Sequence, residues 1–271
     1  MDTLLQAIVI GIVQGLTEFL PVSSSAHLIL ARAFFGWEMP AAFGLAFDVA
    51  VHVGTLAAIL VFFRAEILAM VRALPRVLAP QPDPPARLIR LIVAGTLPVV
   101  VVALTFNDLI EEVFRTPAVA AGALAFGAVL MIVAERLGPR TRVEDSLTWR
   151  DALIIGCAQA SALIPGMSRS GSTIAIGMFL GVRRDAAARF TFLLAIPAMI
   201  AAAAKEALAM TEMPLPADSG SLIAAGVLTS AATGYVTIKF FIRFLAANKL
   251  DVFAAYRLLL AAATVIWLLR Q

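Results

Sequence analysis

The sequence predicts an all-α polytopic membrane protein, an inverted repeat of two units that each contain a re-entrant helical hairpin and three transmembrane helices. Three observations support this fold class. Of the 271 residues, 61% are hydrophobic and 14% are charged, whereas about 25% are charged in a typical soluble domain. Several apolar runs reach the ~20 residues needed to cross a bilayer core. Two polar, proline-broken apolar segments also occur 145 positions apart.

Six continuous segments are predicted to cross the membrane: residues 43–63, 91–106, 118–134, 190–204, 221–242 and 252–269. Two further segments, which we call the first and second broken segments, cover residues 4–30 and 153–180. Each has an apolar half, a proline with a Ser/Gly cluster, and a second apolar half. This pattern favours a helix–break–helix hairpin that enters and leaves on one side. The chain is predicted to form one integral-membrane domain, with repeat halves of about 1–134 and 151–271.

The charges of the loops predict the topology. The basic loops are 68–90, 136–150, 183–189 and 243–249, and the acidic loops are 107–116 and 206–218. The positive-inside rule places basic loops in the cytoplasm. The spans then alternate only if the second broken segment starts and ends inside and the first starts and ends outside. Three spans per unit make the repeat inverted.

A shift of 145 positions aligns the two broken segments without a gap. It pairs the following residues: Gly11 with Gly156, Gln14 with Gln159, Ser23 with Ser168, Ser24 with Arg169, and Ser25 with Ser170. Polar, helix-breaking residues inside an apolar segment are costly in lipid, so they indicate a functional site that faces a cavity. Two such segments at corresponding places predict a site at the repeat interface.

The first broken segment supplies a carboxylate, hydroxyls and a histidine. Gln14 and Glu18 are four residues apart and share a helix face, where they could hold a divalent cation together with substrate phosphates. Alternatively, Glu18 only stabilises the break. Ser23, Ser24 and Ser25 could cap a helix or grip an anion at its N-terminus. His27 lies one turn after Ser24 and could move a proton, or it could be structural.

The second broken segment supplies an arginine among hydroxyl groups. Arg169 is costly in the membrane unless it is paired, and its guanidinium suits bidentate phosphate binding. The hydroxyl groups that could assist it are those of Ser168, Ser170, Ser172 and Thr173. The alternative is a structural ion pair between Arg169 and Glu18 without substrate.

Other features indicate structure or exclude classes of protein. His52 is expected to form hydrogen bonds within the helix bundle rather than to act in catalysis. Cys157 is the only cysteine, which excludes an intramolecular disulfide and predicts a small buried side chain. The start of the chain shows no pattern of a removable signal peptide. No Walker loop, zinc motif or dinucleotide fingerprint is present, and we expect no nucleic-acid partner.

Both motifs strongly resemble those of the undecaprenyl-diphosphate phosphatase family of bacterial integral-membrane enzymes, also called bacitracin-resistance proteins. The first motif occurs here from Gln14 and Glu18 through the Pro–Ser–Ser–His run to His27, and the second from Pro165 to Thr173. Chain length and hydrophobic layout agree as well, so the resemblance covers the whole chain. Some family members have a second carboxylate at the first motif position, where this chain has Gln14.

The resemblance implies hydrolysis of undecaprenyl diphosphate to undecaprenyl phosphate and inorganic phosphate, which recycles the lipid carrier for cell-wall synthesis. It implies a divalent cation, Mg²⁺ or Ca²⁺, held near Glu18 and Gln14, and a multi-pass protein of the bacterial inner membrane whose active site opens to the periplasm. The residues carried over are catalytic Glu18, Ser24, His27 and Arg169, and substrate-binding Ser23, Ser25, Ser168, Ser170, Ser172 and Thr173. Membrane lipids surround the chain, and glycine-rich helix faces permit a homodimer.

Three other functions can be compared with diphosphate hydrolysis. A polyprenyl-phosphate transporter or flippase could use the same inverted-repeat site, although fold alone does not define function. A phosphatidic-acid-phosphatase-type enzyme would need a distal histidine motif that His27 and His52 do not form. A purely structural protein would not retain so many costly polar groups in the membrane.

Overall fold

The computed structural model describes residues 3–37, 41–106, 110, 113–210 and 219–270. Their regular structure is helical apart from one isolated bridge between Arg142 and Val182. The α-helices are α1 Thr3–Thr17, α2 Ser24–Phe35, α3 Ala41–Phe62, α4 Arg64–Ala73, α5 Pro84–Thr105, α6 Pro117–Leu137, α7 Trp149–Ser161, α8 Arg169–Phe179, α9 Arg184–Met210, α10 Ser219–Ala247 and α11 Asp251–Leu268. Short 3₁₀ helices cover Leu74–Arg76 and Glu144–Ser146.

Five of the described helices, α5, α6, α9, α10 and α11, are long and apolar enough to cross a membrane. A sixth span is formed if α3 and α4, which meet at an angle of 75°, count as one broken span. Each of the six predicted spans falls on one of these helices. The structure therefore confirms an all-α, multi-pass membrane protein. The bend lies at the end of the predicted span 43–63, where the sequence predicted no bend.

Both predicted breaks are present. The first separates α1 from α2, and the second separates α7 from α8. Ser23 and Ser168 are the N-caps of the helices that follow, and both have positive φ, 73° and 65°. This left-handed backbone conformation is rare for residues other than glycine, so its occurrence at both positions marks the two breaks as structurally equivalent.

The predicted basic loops meet at one end of the molecule. Arg87 donates to the backbone of the 136–150 loop at Asp145 O, 2.5 Å away, and also at Leu147 O. Arg189 pairs with Glu66 of α4 at 2.6 Å and with Glu144 at 3.4 Å. Burial raises the pKa of the Glu144 carboxyl, an effect that the charge of Arg189 opposes.

Two further arginines form contacts at the same end of the molecule. Arg142 contacts Asp151 in the first turn of α7 at 2.7 Å and Leu180 O after α8 at 2.8 Å. Arg184 contacts Glu135 at 2.5 Å, and Glu135 also accepts the backbone N–H of Leu250. The four basic loops therefore lie on the same side, as the loop charges predicted. The acidic residues Asp108, Glu111, Glu112, Glu212 and Asp218 lie outside the described residues.

A cluster of aromatic rings positions the first break against the bundle. Phe192 of α9 packs against Phe19 at a ring-centroid distance of 5.5 Å, against Phe63 at 6.4 Å and against Phe241 at 6.2 Å. Phe19 is fully buried and directly follows Glu18. The cluster therefore anchors the backbone that carries this carboxylate.

Glycines allow the broken segments to approach neighbouring helices closely. A Cβ atom at Gly15 would lie 2.7 Å from Ser230 O of α10, and one at Gly156 would lie 2.2 Å from Gly95 O of α5. Gly11, which the shift of 145 positions pairs with Gly156, likewise faces α10, and a Cβ atom there would lie 2.8 Å from Gly226 O. These small-residue faces are used inside the chain, so they do not support the homodimer that they would permit.

The prediction for Cys157 was wrong, because its side chain is exposed. Cys157 lies one turn after Ile154, which is 48% exposed, so both residues belong to the outward face of α7. Spacing within a short helix did not show which of its faces packs against the bundle.

Candidate active site

Glu18 lies at the centre of a hydrogen-bonded cluster in the first break. Its Oε2 accepts the Ser24 hydroxyl at 2.6 Å and the Gln14 amide at 3.0 Å. Its Oε1 accepts Arg169 Nη2 at 2.6 Å. The Glu18 side chain is 8% exposed, so a nearly buried carboxylate holds hydroxyl, amide and guanidinium donors at once.

Arg169 connects the two broken segments. It is the first residue of α8, and its ion pair with Glu18 spans 151 positions of the chain. Its Nη2 also lies 3.3 Å from Met199 Sδ of α9. The pairing satisfies the arginine charge inside the protein, which a membrane-embedded arginine requires.

Backbone and serine contacts join the two breaks directly. Ser23 Oγ accepts the N–H of Gly166 at 3.1 Å, and Ser170 Oγ donates to Leu20 O at 3.0 Å. Ser23 Oγ lies 3.2 Å from Ser25 Oγ, and the equivalent pair Ser168 and Ser170 lies 3.3 Å apart. Ser23 and Ser170 thus join the two breaks, and each break also contains a close pair of serine hydroxyls.

Two helix N-termini start at this junction, α2 after Ser23 and α8 after Ser168. The first N–H groups of a helix have no acceptor within the helix and carry part of the helix dipole. An anion placed near Ser24 and Arg169, the first residues of these helices, would therefore meet backbone donors as well as the guanidinium.

His27 is held by two partners in the described residues. Its Nδ1 lies 2.7 Å from Ser23 O, and its Nε2 lies 2.7 Å from the Tyr256 hydroxyl of α11. No hydrogen bond joins His27 to Ser24 within the part of the chain that the structure describes. Ser24 donates to Glu18 instead, so the carboxylate is the acceptor nearest to the predicted nucleophile.

His52 approaches the cluster from α3. Its Nδ1 lies 2.7 Å from Asp48 O in the preceding turn, and its Nε2 lies 3.8 Å from Glu18 Oε2. The first contact is the expected bond within the bundle. The second places an imidazole beside the central carboxylate. The sequence did not indicate this contact, because His52 is on α3 whereas Glu18 lies in the break after α1.

Ser172 and Thr173 lie deeper in α8 than the other predicted site residues. Ser172 Oγ donates to Met167 O at 3.3 Å, and Thr173 Oγ1 donates to Arg169 O at 2.7 Å. Both residues are buried. Thr173 also accepts the Thr191 hydroxyl at 2.9 Å. In the structure these hydroxyls support the start of α8 and its packing against α9.

Arg257 of α11 is fully buried beneath both breaks. Its guanidinium donates to Pro21 O in the first break at 3.2 Å and to Gly166 O in the second at 2.8 Å. It also donates to Met167 O at 3.1 Å, and to Ala123 O and Leu124 O of α6 at 3.1 Å each. Sequence reasoning missed this residue. A charge inside the apolar run 252–269 was the available signal.

Gln14 and Glu18 are the side chains at the first break that could ligate a divalent cation together with substrate phosphates. Gln14 is fully buried, and its Oε1 has no hydrogen-bond partner among the described residues. Such an oxygen is a suitable ligand for Mg²⁺ or Ca²⁺. The described residues contain no group of three or more His, Cys, Asp or Glu side chains placed to hold a metal. Phosphate and water oxygens would therefore complete the coordination.

Comparison with known proteins identifies relatives over almost the whole chain. The family model for the bacitracin resistance protein BacA matches residues 7–263. The undecaprenyl-diphosphatase of Rubrobacter xylanophilus is 44% identical, with 99% of this chain and 100% of the relative covered. Undecaprenyl-diphosphatase 2 of Stutzerimonas stutzeri is 46% identical, with 97% of each chain covered. The chain therefore belongs to the BacA family.

Proposed function

We propose that this protein is an undecaprenyl-diphosphatase, which hydrolyses undecaprenyl diphosphate to undecaprenyl phosphate and inorganic phosphate. The observation that carries the proposal is the convergence of Ser24 and Arg169 on the Glu18 carboxylate, each at 2.6 Å. A hydroxyl, a proton acceptor and a phosphate-binding guanidinium within one cluster are the groups that phosphate-ester hydrolysis needs. The relatives that carry this name support the choice of substrate.

Arg169 binds the terminal phosphate in this proposal. Its ion pair with Glu18 in the structure is replaced by contacts with phosphate oxygens when the diphosphate enters. The N-termini of α2 and α8 add backbone N–H donors, and the hydroxyls of Ser23, Ser25, Ser168 and Ser170 line the junction. Preorganised donors of this kind stabilise the charge that spreads over the phosphoryl oxygens in the transition state.

The first proton transfer runs from the Ser24 hydroxyl to the Glu18 carboxylate. Glu18, which already accepts the Ser24 hydroxyl at 2.6 Å, takes the proton of Ser24 when the diphosphate is bound. Ser24 Oγ either bonds to the terminal phosphorus or orients the water that does so. In both routes the bond from phosphorus to the bridging oxygen breaks and undecaprenyl phosphate leaves. In the first route, water then cleaves the phosphoserine and releases phosphate.

His27 completes the proton transfers as the second acid–base group. Its position three residues after Ser24 keeps it on the same turn of α2. We propose that it protonates the departing oxygen or accepts the proton of the attacking water. Gln14 and Glu18 would hold the divalent cation, which when bound neutralises charge on the phosphoryl oxygens.

We also propose the inverted-repeat architecture for the bundle. The matching caps at Ser23 and Ser168 and the reciprocal helix contacts of Gly11 and Gly156 support it. Arg142 contacts the start of α7 and the end of α8, which supports a re-entrant hairpin that opens at the basic end. By the positive-inside rule that end is cytoplasmic. The first broken segment and the active site then open to the periplasm of the bacterial inner membrane.

A polyprenyl-phosphate transporter is the second candidate function. The equivalent serine caps of the two breaks favour it, because transporters place broken helices of inverted repeats around a central site. Hydrolysis explains more of the cluster, since transport has no need for a carboxylate that accepts a serine hydroxyl at 2.6 Å.

The direct experiment measures inorganic phosphate and undecaprenyl phosphate released from undecaprenyl diphosphate by the detergent-purified protein. We expect one phosphate for each undecaprenyl phosphate when Mg²⁺ or Ca²⁺ is present. Absence of both products with every divalent cation tested would refute the phosphatase. Movement of undecaprenyl phosphate across proteoliposomes by such an inactive protein would then establish the transporter.

A further inference from the structure

Tyr256 reaches the candidate active site from the last described helix. Its hydroxyl lies 2.7 Å from His27 Nε2, although the two residues are 229 positions apart. The two rings lie nearly parallel, with an interplanar angle of 8° and centroids 5.6 Å apart. The phenol hydroxyl therefore contacts the imidazole nitrogen while the two ring planes stay nearly parallel.

The two partners of His27 determine its tautomer. Ser23 O is a carbonyl and can only accept, so the Nδ1 atom 2.7 Å away carries the hydrogen. In the neutral ring, Nε2 then has a lone pair and accepts the Tyr256 hydroxyl. In the charged ring, Nε2 donates to the same hydroxyl oxygen. Because a phenol can both donate and accept, Tyr256 can hold the ring in both protonation states.

The position of Tyr256 on α11 is fixed by its neighbour. Arg257 points inward and donates to backbone carbonyls of both breaks and of α6. Tyr256 is 44% exposed and lies on the outward stripe with Val252 and Leu259. The arginine therefore fixes the rotation of α11 about its axis. This rotation places the tyrosine hydroxyl next to His27 at the edge of the site.

We propose that Tyr256 is a positioning residue that orients His27 and fixes its tautomer for proton transfer during diphosphate hydrolysis. This inference rests on the proposed phosphatase function. In the competing structural role, Tyr256 only packs α11 against α2, and its hydroxyl has no influence on turnover.

The test compares Tyr256→Phe with Tyr235→Phe, which removes the hydroxyl of the only other tyrosine in the chain. Tyr235 packs against Phe62 at a ring distance of 5.9 Å and serves as the matched control. We expect Tyr256→Phe to lower kcat about tenfold, the upper limit for one neutral hydrogen bond, with KM unchanged. Tyr235→Phe should keep wild-type kcat and KM.

Two further measurements separate positioning from packing. The double variant His27→Ala, Tyr256→Phe should show the same kcat as His27→Ala alone, because the tyrosine acts through the histidine. With only two histidines in the chain, ¹⁵N spectra of labelled protein should show the His27 ring nitrogens shifted in Tyr256→Phe and unchanged in Tyr235→Phe.

Wild-type kcat in Tyr256→Phe, or a double variant slower than His27→Ala, would overturn the positioning role while the phosphatase function stands. An inactive wild-type protein would instead overturn the proposed function, and the role of Tyr256 in hydrolysis with it. The two failures are therefore distinguishable from the wild-type rate alone.

Discussion

Glu18 and Arg169 form an ion pair of 2.6 Å between the two broken segments of the chain. Glu66 and Arg189 form a pair of the same length at the basic end. The exposed fractions differ: 8% and 17% for the first pair, and 33% and 36% for the second. A buried pair of charges interacts in a low dielectric and loses much when one partner is removed. In the proposed mechanism an incoming phosphate opens the first pair, and the second pair serves as its control.

Glu18→Gln should lower kcat by roughly 10²- to 10⁴-fold, the usual contribution of a general base. The amide keeps the size of the side chain but cannot take the proton of Ser24. Initial rates of phosphate release measure the effect. Glu66→Gln removes the carboxylate of the less buried pair, and this variant should hydrolyse the substrate at the wild-type rate. Equal rates in both variants would show that Glu18 is not the general base.

Gln14→Glu should lower the Mg²⁺ concentration needed for half-maximal activity, because a second carboxylate strengthens an oxygen site for a hard cation. The buried Oε1 of Gln14, which has no hydrogen-bond partner among the described residues, is where the added charge would act. Titration of the chelated protein with Mg²⁺ provides the measurement. A wild-type protein that keeps full activity in excess chelator would contradict the assignment of a cation to Gln14 and Glu18.

Arg257→Met should destabilise the protein, because the carbonyls of both breaks and of α6 would lose their buried donor. Each buried acceptor left without a partner costs about 1–3 kcal/mol. We expect a clearly lower melting temperature in detergent. The matched control is Arg243→Met, which replaces an exposed arginine of α10. This variant should have the melting temperature of the wild type. Equal melting of both variants would show that the Arg257 bonds do not hold the breaks together.

Gly156→Ala should also lower the melting temperature, since its Cβ atom would lie 2.2 Å from Gly95 O of α5. Overpacking of this kind costs roughly 1–3 kcal/mol. Gly122→Ala on α6 meets no atom within 4 Å and should keep or slightly raise the melting temperature, because alanine favours helix. A Gly156→Ala protein as stable as the wild type would mean that α5 and α7 do not approach so closely.

The six spans and the two breaks could be predicted from the sequence because both depend on local signals. Apolar runs of sufficient length define a span in lipid, and a proline with clustered serines interrupts a helix. The shift of 145 positions also paired Ser23 with Ser168, which share a positive φ. That pairing required only the one-dimensional pattern.

Contacts between distant helices could not be predicted in the same way. Tyr256 and Arg257 are adjacent, yet one contacts His27 and the other supports both breaks. Their roles depend on the rotation of α11, which hydropathy does not determine. For the same reason the sequence did not predict that Cys157 lies on the outward face of α7. The approach of His52 to Glu18 at 3.8 Å likewise arises from the packing of α3 against the first break.

The most direct test of the account measures kcat/KM for undecaprenyl diphosphate in Arg169→Lys and Arg189→Lys. Lysine keeps the charge but loses the planar fork that binds phosphate, so Arg169→Lys should lose roughly 10²-fold, as for removal of one transition-state donor. Arg189→Lys should retain the wild-type value. This result would establish that the second broken segment supplies the phosphate-binding group of a site centred on Glu18. Full activity in Arg169→Lys and also in Arg169→Ala would contradict that claim.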